Sequence, residues 1–346
     1  MKAVIFSEPG GPEKLQYTDV PTPAPKSGEA LIRVRATALN HLDIWIRSGV
    51  AAYGTKLPHI GGCDISGTIE ALNPGDTTLP GGFKKASRVM IFPGRSCWSC
   101  PACLSGRDNL CASYSIIGAG SDGGLAEYCV APIRNLIPLP ETISFEEAAA
   151  FSLVTLTSWH MLITRAQLKP KETVLVLGAS SGIGTAAVQI GRLTGCRVLA
   201  TVGSDDKKSK VKALGADEVI NHTTEDFQKR VKELTAGRGV DVVFEHIGPT
   251  TWEQSIKSLV KGGRLVTCGA TTGPEVKTDL RYVFSRELSI FGAVMGTRAE
   301  MMTLVDHLAA GRLKAVIDSK FPLAEARQAQ EKMAGRNFFG KIVVLP

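Results

Sequence analysis

Apolar residues fall in two different rhythms along this chain. Over the first 140 residues they form short runs, KAVIF (2–6), ALIRVRATAL (30–39) and RVMIF (88–92). Clusters such as EPGGPE and PTPAPKSG separate them. Short β-branched runs punctuated by Pro and Gly predict many short strands, hence a barrel-like or sandwich-like β-rich domain. The rhythm changes near 141–146. Ser144 is a candidate N-cap, with Glu147 closing a capping box ahead of AAAFSLVTLTSWHML. From 173 onward, buried-strand runs alternate with helical periodicity. TVLVL (173–177), RVLATV (197–202), EVI (218–220), VDVVFE (240–245), GRLVTCG (263–269) and LSIFG (288–292) read as strands. TAAVQIGRL (185–193) and SKVKAL (209–214) read as helices. This alternation predicts an α/β chain whose 141–292 segment is a doubly wound parallel sheet. Residues 293–346 end in FGKIVVL, a strand expected to return to the 1–140 domain.

Composition narrows the class. Hydrophobic residues are 44% and charged residues 21%, so the chain is globular rather than disordered. No apolar run approaches the roughly 18 residues that span a bilayer. The start, MKAVIFSEPGG, reads as a strand entering a turn rather than a secretory signal. A cytoplasmic protein without a membrane partner is expected. The net charge of +7 suits anionic small molecules. Lys and Arg are dispersed, aromatics are 6%, and no nucleic-acid-binding motif is present, so no nucleic-acid partner is expected.

The sequence VLGASSGIGTAAVQI sets a Gly-rich turn between a strand and a helix. Such a turn brings a dinucleotide pyrophosphate against the helix N-terminus. Ser180, Ser181, Gly182, Ile183 and Gly184 are its candidate cofactor residues, although only the last Gly fits the G-x-G-x-x-G register. The second strand ends near Val202, without the acid that would take a ribose 2′-OH of NAD. Ser204 and Lys208 follow, groups suited to a 2′-phosphate, so NADP(H) is expected in preference to NAD(H). Asp205 and Asp206 weigh against that preference.

Eight cysteines are present, and four stand as C-x2-C-x2-C-x7-C: Cys97, Cys100, Cys103 and Cys111. Four thiolates this close wrap one tetrahedral Zn2+ and leave no open position. One structural zinc per chain, tying down a lobe at 94–112, is the expected role.

Together these features resemble the medium-chain dehydrogenase/reductase superfamily over essentially the whole chain. Further anchors are GCDISGTIE (62–70), GGLAEYCVAP (123–132), LGADEVIN (214–221) and the final FGKIVV. The resemblance implies a GroES-like substrate domain (1–140 and 293–346) and a Rossmann domain (141–292). It also implies a homodimer or homotetramer, with LSIFG a candidate for pairing between subunits.

Zinc alcohol dehydrogenases of this family bind a second, catalytic zinc. The matching ligand positions here are Asn40, Cys63 within Gly62-Cys63-Asp64, and about Leu153. That is a poor donor set. The same segments look more like the quinone-oxidoreductase branch, with N-x-x-D at Asn40 and Asp43 and with Ser204 and Lys208 after the second strand. Most quinone reductases lack the four-Cys lobe, which this chain keeps. The resemblance implies hydride transfer to a quinone or an α,β-unsaturated carbonyl, whose electron-poor carbon needs no Lewis acid. Alternatives are a zinc alcohol dehydrogenase with atypical ligands, drawing on Cys63, Asp64 and His41 or His59, and a nonenzymatic NADPH-binding protein.

By motif position, Asn40, Asp43, Thr157, Ile247, Ala270 and Phe291 fall near the nicotinamide. Asn40 is a candidate to hydrogen-bond the nicotinamide ribose or the substrate oxygen, and Asp43 a support for its loop. Tyr53 is either a proton donor to an enolate or a surface aromatic. His222 stands where the branch often has Tyr after the third strand, near the 2′-phosphate. Lys341 is a candidate for the pyrophosphate, and Cys63 is by default a buried thiol.

Overall fold

The computed structural model describes residues 1–75 and 82–346. The chain forms two compact units, Met1–Leu153 with Thr297–Pro346, and Val154–Gly296. The junctions therefore fall later than the 140/141 and 292/293 boundaries read from the pattern. The reason is the helix Phe145–Trp159, which is continuous across the first junction. Its capping box is present: Ser144 Oγ accepts from Glu147 N at 3.2 Å, and Glu147 Oε2 accepts from Ser144 N at 3.0 Å. Among the described residues, no helix is long and apolar enough to cross a membrane.

The first unit is built on a seven-stranded, mostly antiparallel sheet. Its centre is Glu29–Ala38, paired with Asp64–Asn73, Tyr128–Pro132 and Lys341–Leu345. The burial of Glu29–Ala38 alternates only in its middle, because both faces of its C-terminal end are covered. The last strand lies beside the third of the chain order, with Val343 opposite Ala38 and Val344 opposite Thr37. This pairing brings residue 341 to the start of the helix His41–Arg47. A three-stranded sheet, Gln16–Asp19, Lys2–Phe6 and His59–Ile60, packs beside it. Phe6, Leu42, Ile46, Ile60, Cys63 and Leu125 belong to the core it shares with that helix.

The second unit is a six-stranded parallel sheet in chain order 3-2-1-4-5-6. This is the Rossmann arrangement, with a crevice where the order reverses between the first and fourth strands. The first strand, Thr173–Val176, is buried at every position, as a central parallel strand must be. Each fully buried Val or Leu there contributes roughly 1.5–3 kcal/mol. The helix Gly182–Leu193 begins three residues before the apolar run that signals it, because Ser181 caps it. The fifth strand, Leu259–Thr267, likewise begins ahead of its apolar run. Ser289–Gly292 is one of the two edge strands, with Ile290 exposed.

Candidate functional site

Two sets of groups stand out, one in each unit. In the second unit, the Gly-rich turn is shaped by close backbone contacts. Gly178 has φ +55°, which favours glycine. A Cβ on Gly184 would lie 2.3 Å from Gly178 O, so no side chain fits there. Ser181 Oγ donates to Gly178 O (2.8 Å) and accepts from Gly184 N (3.1 Å). Ser181 thus builds the turn, and the first N–H groups of the helix, at Gly182 and Ile183, have no partner among the described residues and are left for an anion. A cradle that excludes a Cβ and ends on free N–H groups fits a dinucleotide pyrophosphate.

The other expected cofactor residues of this unit line the C-terminal ends of the parallel strands. Ser204 follows the second strand and His222 the third. Ile247 and Ala270 follow the fourth and fifth, both half-buried, and Phe291 lies on the sixth under Arg165. Thr157 is buried on the long helix, its Oγ1 4.0 Å from Met295 Sδ. Lys208 is not free: its Nζ lies 2.9 Å from Asp205 and 3.2 Å from Glu225. Sequence reasoning missed His246, whose Nε2 lies 2.9 Å from Leu177 O and whose ring packs under Gly178. Its place just after the fourth strand was the available signal.

In the first unit, Asn40, Cys63, Asp64 and Lys341 come together. Lys341 is 3% exposed, so its expected reach to a pyrophosphate is not what the structure shows. Its ammonium instead donates to Asn40 Oδ1 (2.6 Å) and Asp64 Oδ2 (2.9 Å). Asn40 Nδ2 donates to Asp64 Oδ2 (2.8 Å) and also faces Cys63 Sγ and Ala38 O, both at 3.3 Å. Both ends of the Asn40 amide are therefore engaged internally. Its two N–H bonds are turned inward, toward Asp64, Cys63 and Ala38. Leu153 N donates to Asp64 Oδ1 at 2.8 Å. The three positions matching catalytic-zinc ligands thus do converge, carrying an amide, a thiol and an apolar side chain. The carboxylate between them already has an ammonium. Burial, with Asp64 and Asp43 alongside, pushes the Cys63 thiol well above its ordinary range, so it stays protonated. This donor set does not fit a catalytic zinc.

Asp43 braces the cluster. Its Oδ2 accepts from Asn40 N (2.7 Å) and its Oδ1 from Gly62 N (2.9 Å), tying the two loops together. Burial raises its pKa to about 6 despite those two bonds. Tyr53 is half-buried, and burial together with nearby Cys63 raises its pKa, keeping the phenol protonated. His59 is buried with Nε2 3.0 Å from Gly118 O, and His41 stacks edge-on against Trp45. Tyr114, which the sequence did not single out, has a buried hydroxyl without a partner among the described residues.

The four-Cys lobe is compact. Its ligand atoms all lie within 4.8 Å of one another, with Sγ pairs at 3.5, 3.6 and 3.9 Å. Four thiolates about 2.3 Å from one Zn2+ would be about 3.8 Å apart, so the set fits a tetrahedral ion. Backbone N–H groups of Cys97 and Cys100 point at Cys111 and Cys97 sulfurs, both at 3.3 Å. Asp108, inside the lobe, accepts from Arg298 N at 3.2 Å and so fastens the lobe to the helix Arg298–Ala309.

Comparison with known proteins agrees with this geometry. Residues 26–141 match the alcohol dehydrogenase GroES-like domain and residues 182–310 the zinc-binding dehydrogenase family. The chain is 33% identical to a quinone oxidoreductase of Rattus norvegicus, over 100% of this chain and 98% of that protein. It is 32% identical to an alcohol dehydrogenase of Geobacillus stearothermophilus, over 99% of each. A crystal structure of an NAD-dependent alcohol dehydrogenase superposes with TM-score 0.95 at 43% identity, covering 100% of both chains. The fold and its relatives define an NAD(P)-dependent oxidoreductase acting on a small molecule. The chain belongs to the medium-chain dehydrogenase/reductase superfamily, with relatives named both quinone oxidoreductase and alcohol dehydrogenase.

Proposed function

We propose that the protein reduces quinones or α,β-unsaturated carbonyls with NADPH, without a catalytic metal. One observation carries the reading: Lys341 and Asp64 form a buried ion pair at the position where a catalytic zinc would need anionic ligands. Bound NADPH supplies the hydride. Ser180, Gly182, Ile183 and Gly184 would hold its pyrophosphate, and Ser204, Lys208 and His222 its adenosine ribose and 2′-phosphate. Thr157, Ile247, Ala270 and Phe291 would line the nicotinamide. When an electron-poor carbon accepts hydride, negative charge moves to the substrate oxygen. Tyr53, held protonated, then donates a proton to that oxygen and recovers one from water. Asn40 and Asp43 shape this site without touching the reacting atoms. A single structural Zn2+ on Cys97, Cys100, Cys103 and Cys111 keeps the lobe folded.

The unbridged cysteines fit a reducing, cytoplasmic setting. The open edge strand, Ser289–Gly292, is suited to pairing in a homodimer or homotetramer. The test is NADPH oxidation followed at 340 nm against quinone, enone and alcohol/NADP+ panels. Turnover of quinones or enones, falling about 10²-fold in Tyr53→Phe, supports the reading. The 43% identity to an NAD-dependent alcohol dehydrogenase favours a second reading, alcohol oxidation with NAD. Exclusive turnover of alcohols would establish it instead.

A further inference from the structure

The second strand of the parallel sheet ends at Val202. Gly203 follows without a side chain, and Ser204 is extended, with φ −157°. A Cβ on Gly203 would meet His222 at 3.7 Å and Thr223 Oγ1 at 4.0 Å, ordinary van der Waals contacts. Lys208 reaches back to this point and meets two carboxylates of different character. Glu225 is anchored: its Oε1 accepts from Asn221 N at 3.0 Å while lying 3.2 Å from Lys208 Nζ. Its other oxygen lies 3.7 Å from Arg230 Nε. Asp205 lies at 2.9 Å on the solvent side, its side chain 70% exposed. Glu225 therefore fixes where the ammonium sits, and Asp205 fills its outward face.

We propose that Asp205 is a specificity-determining residue whose carboxylate occupies the place on Lys208 that the 2′-phosphate of NADP(H) takes. This rests on the reading that the adenosine ribose lies at the end of this strand. Phosphate binding is then an exchange of one anion for another on Lys208, with Glu225 retained. NADH, which has no group for that face, leaves the Asp205–Lys208 pair intact. The pair is exposed and screened, so the exchange weakens NADP(H) by a modest factor rather than excluding it. The arrangement narrows the difference between the two cofactors that Ser204 and Lys208 alone would set.

The test uses the full-length, zinc-loaded protein and four probes: NADPH, NADH, 2′,5′-ADP and 5′-AMP. Dissociation constants are measured for wild type, Asp205→Asn, Lys208→Met and the double variant. Asp205→Asn is expected to tighten NADPH and 2′,5′-ADP by about three- to fivefold while NADH and 5′-AMP change less than about twofold. In the Lys208→Met background that gain should vanish, because the contested ammonium is gone. A gain that persists without Lys208 overturns the proposal in favour of general charge repulsion. Weaker NADH and 5′-AMP binding in Asp205→Asn, with NADPH unchanged, overturns it by making Asp205 a ribose acceptor. The wild-type preference is read separately: tighter binding of NADH than NADPH overturns the NADP(H) reading, whatever Asp205→Asn does.

Discussion

At the scale of single residues, the buried Lys341–Asp64 pair carries the most consequence. Its side chains are 4% and 0% exposed, so neither charge has water to fall back on. Removing one partner strands the other. Lys341→Met is expected to destabilise the protein by about 3–5 kcal/mol in urea unfolding. Adding Asp64→Asn, which removes the stranded charge and keeps an oxygen for Leu153 N, should recover much of that loss, giving a coupling far above that of separate sites. Additive losses would mean that the two charges are not paired. Asp43 makes a second prediction. Its folded pKa of about 6 lies above the ordinary carboxylate value, so between these values the folded state binds more protons than the unfolded one. Stability from this group is complete at low pH and falls as pH rises toward 6 and beyond. Asp43→Asn cannot show that fall. Its deficit relative to wild type should therefore shrink between pH 4 and pH 7, by up to about 3 kcal/mol.

At the scale of elements, the Gly-rich turn tests how tightly the dinucleotide cradle is drawn. Gly184→Ala places a methyl group against Gly178 O, a backbone atom that cannot rotate away. It is expected to lower stability by about 1–3 kcal/mol and to weaken all dinucleotides alike, measured by calorimetric titration. Unchanged binding would show that the turn has room to spare. This turn and the four-Cys lobe were legible in the sequence because their parts are neighbours: seven residues for one, fifteen for the other. The start of the helix at Gly182 was less so, since Gly182 and Gly184 read as turn and only the Ser181 cap explains the earlier onset. The Asn40–Lys341 contact joins residues 301 positions apart, and no local pattern signals it. It depends on the last strand pairing with Glu29–Ala38 in one register. Lys341 was therefore recognisable as noteworthy but not as buried. His246 was hidden for a related reason, because only the sheet order brings the fourth strand beside the first.

At the scale of the whole molecule, one chain combines a lobe built to hold a metal with a converging site that lacks the ligands for one. The lobe offers four thiols within 4.8 Å. The other cluster offers a protonated thiol, a committed amide and a carboxylate already matched by an ammonium. The most direct measurement is zinc per chain on unchelated protein by elemental mass spectrometry, paired with turnover of the same sample. One zinc per chain, with NADPH-dependent reduction of a quinone or enone, is the predicted result. Two zinc ions per chain, with alcohol oxidation lost when the more weakly held ion is removed, would contradict it.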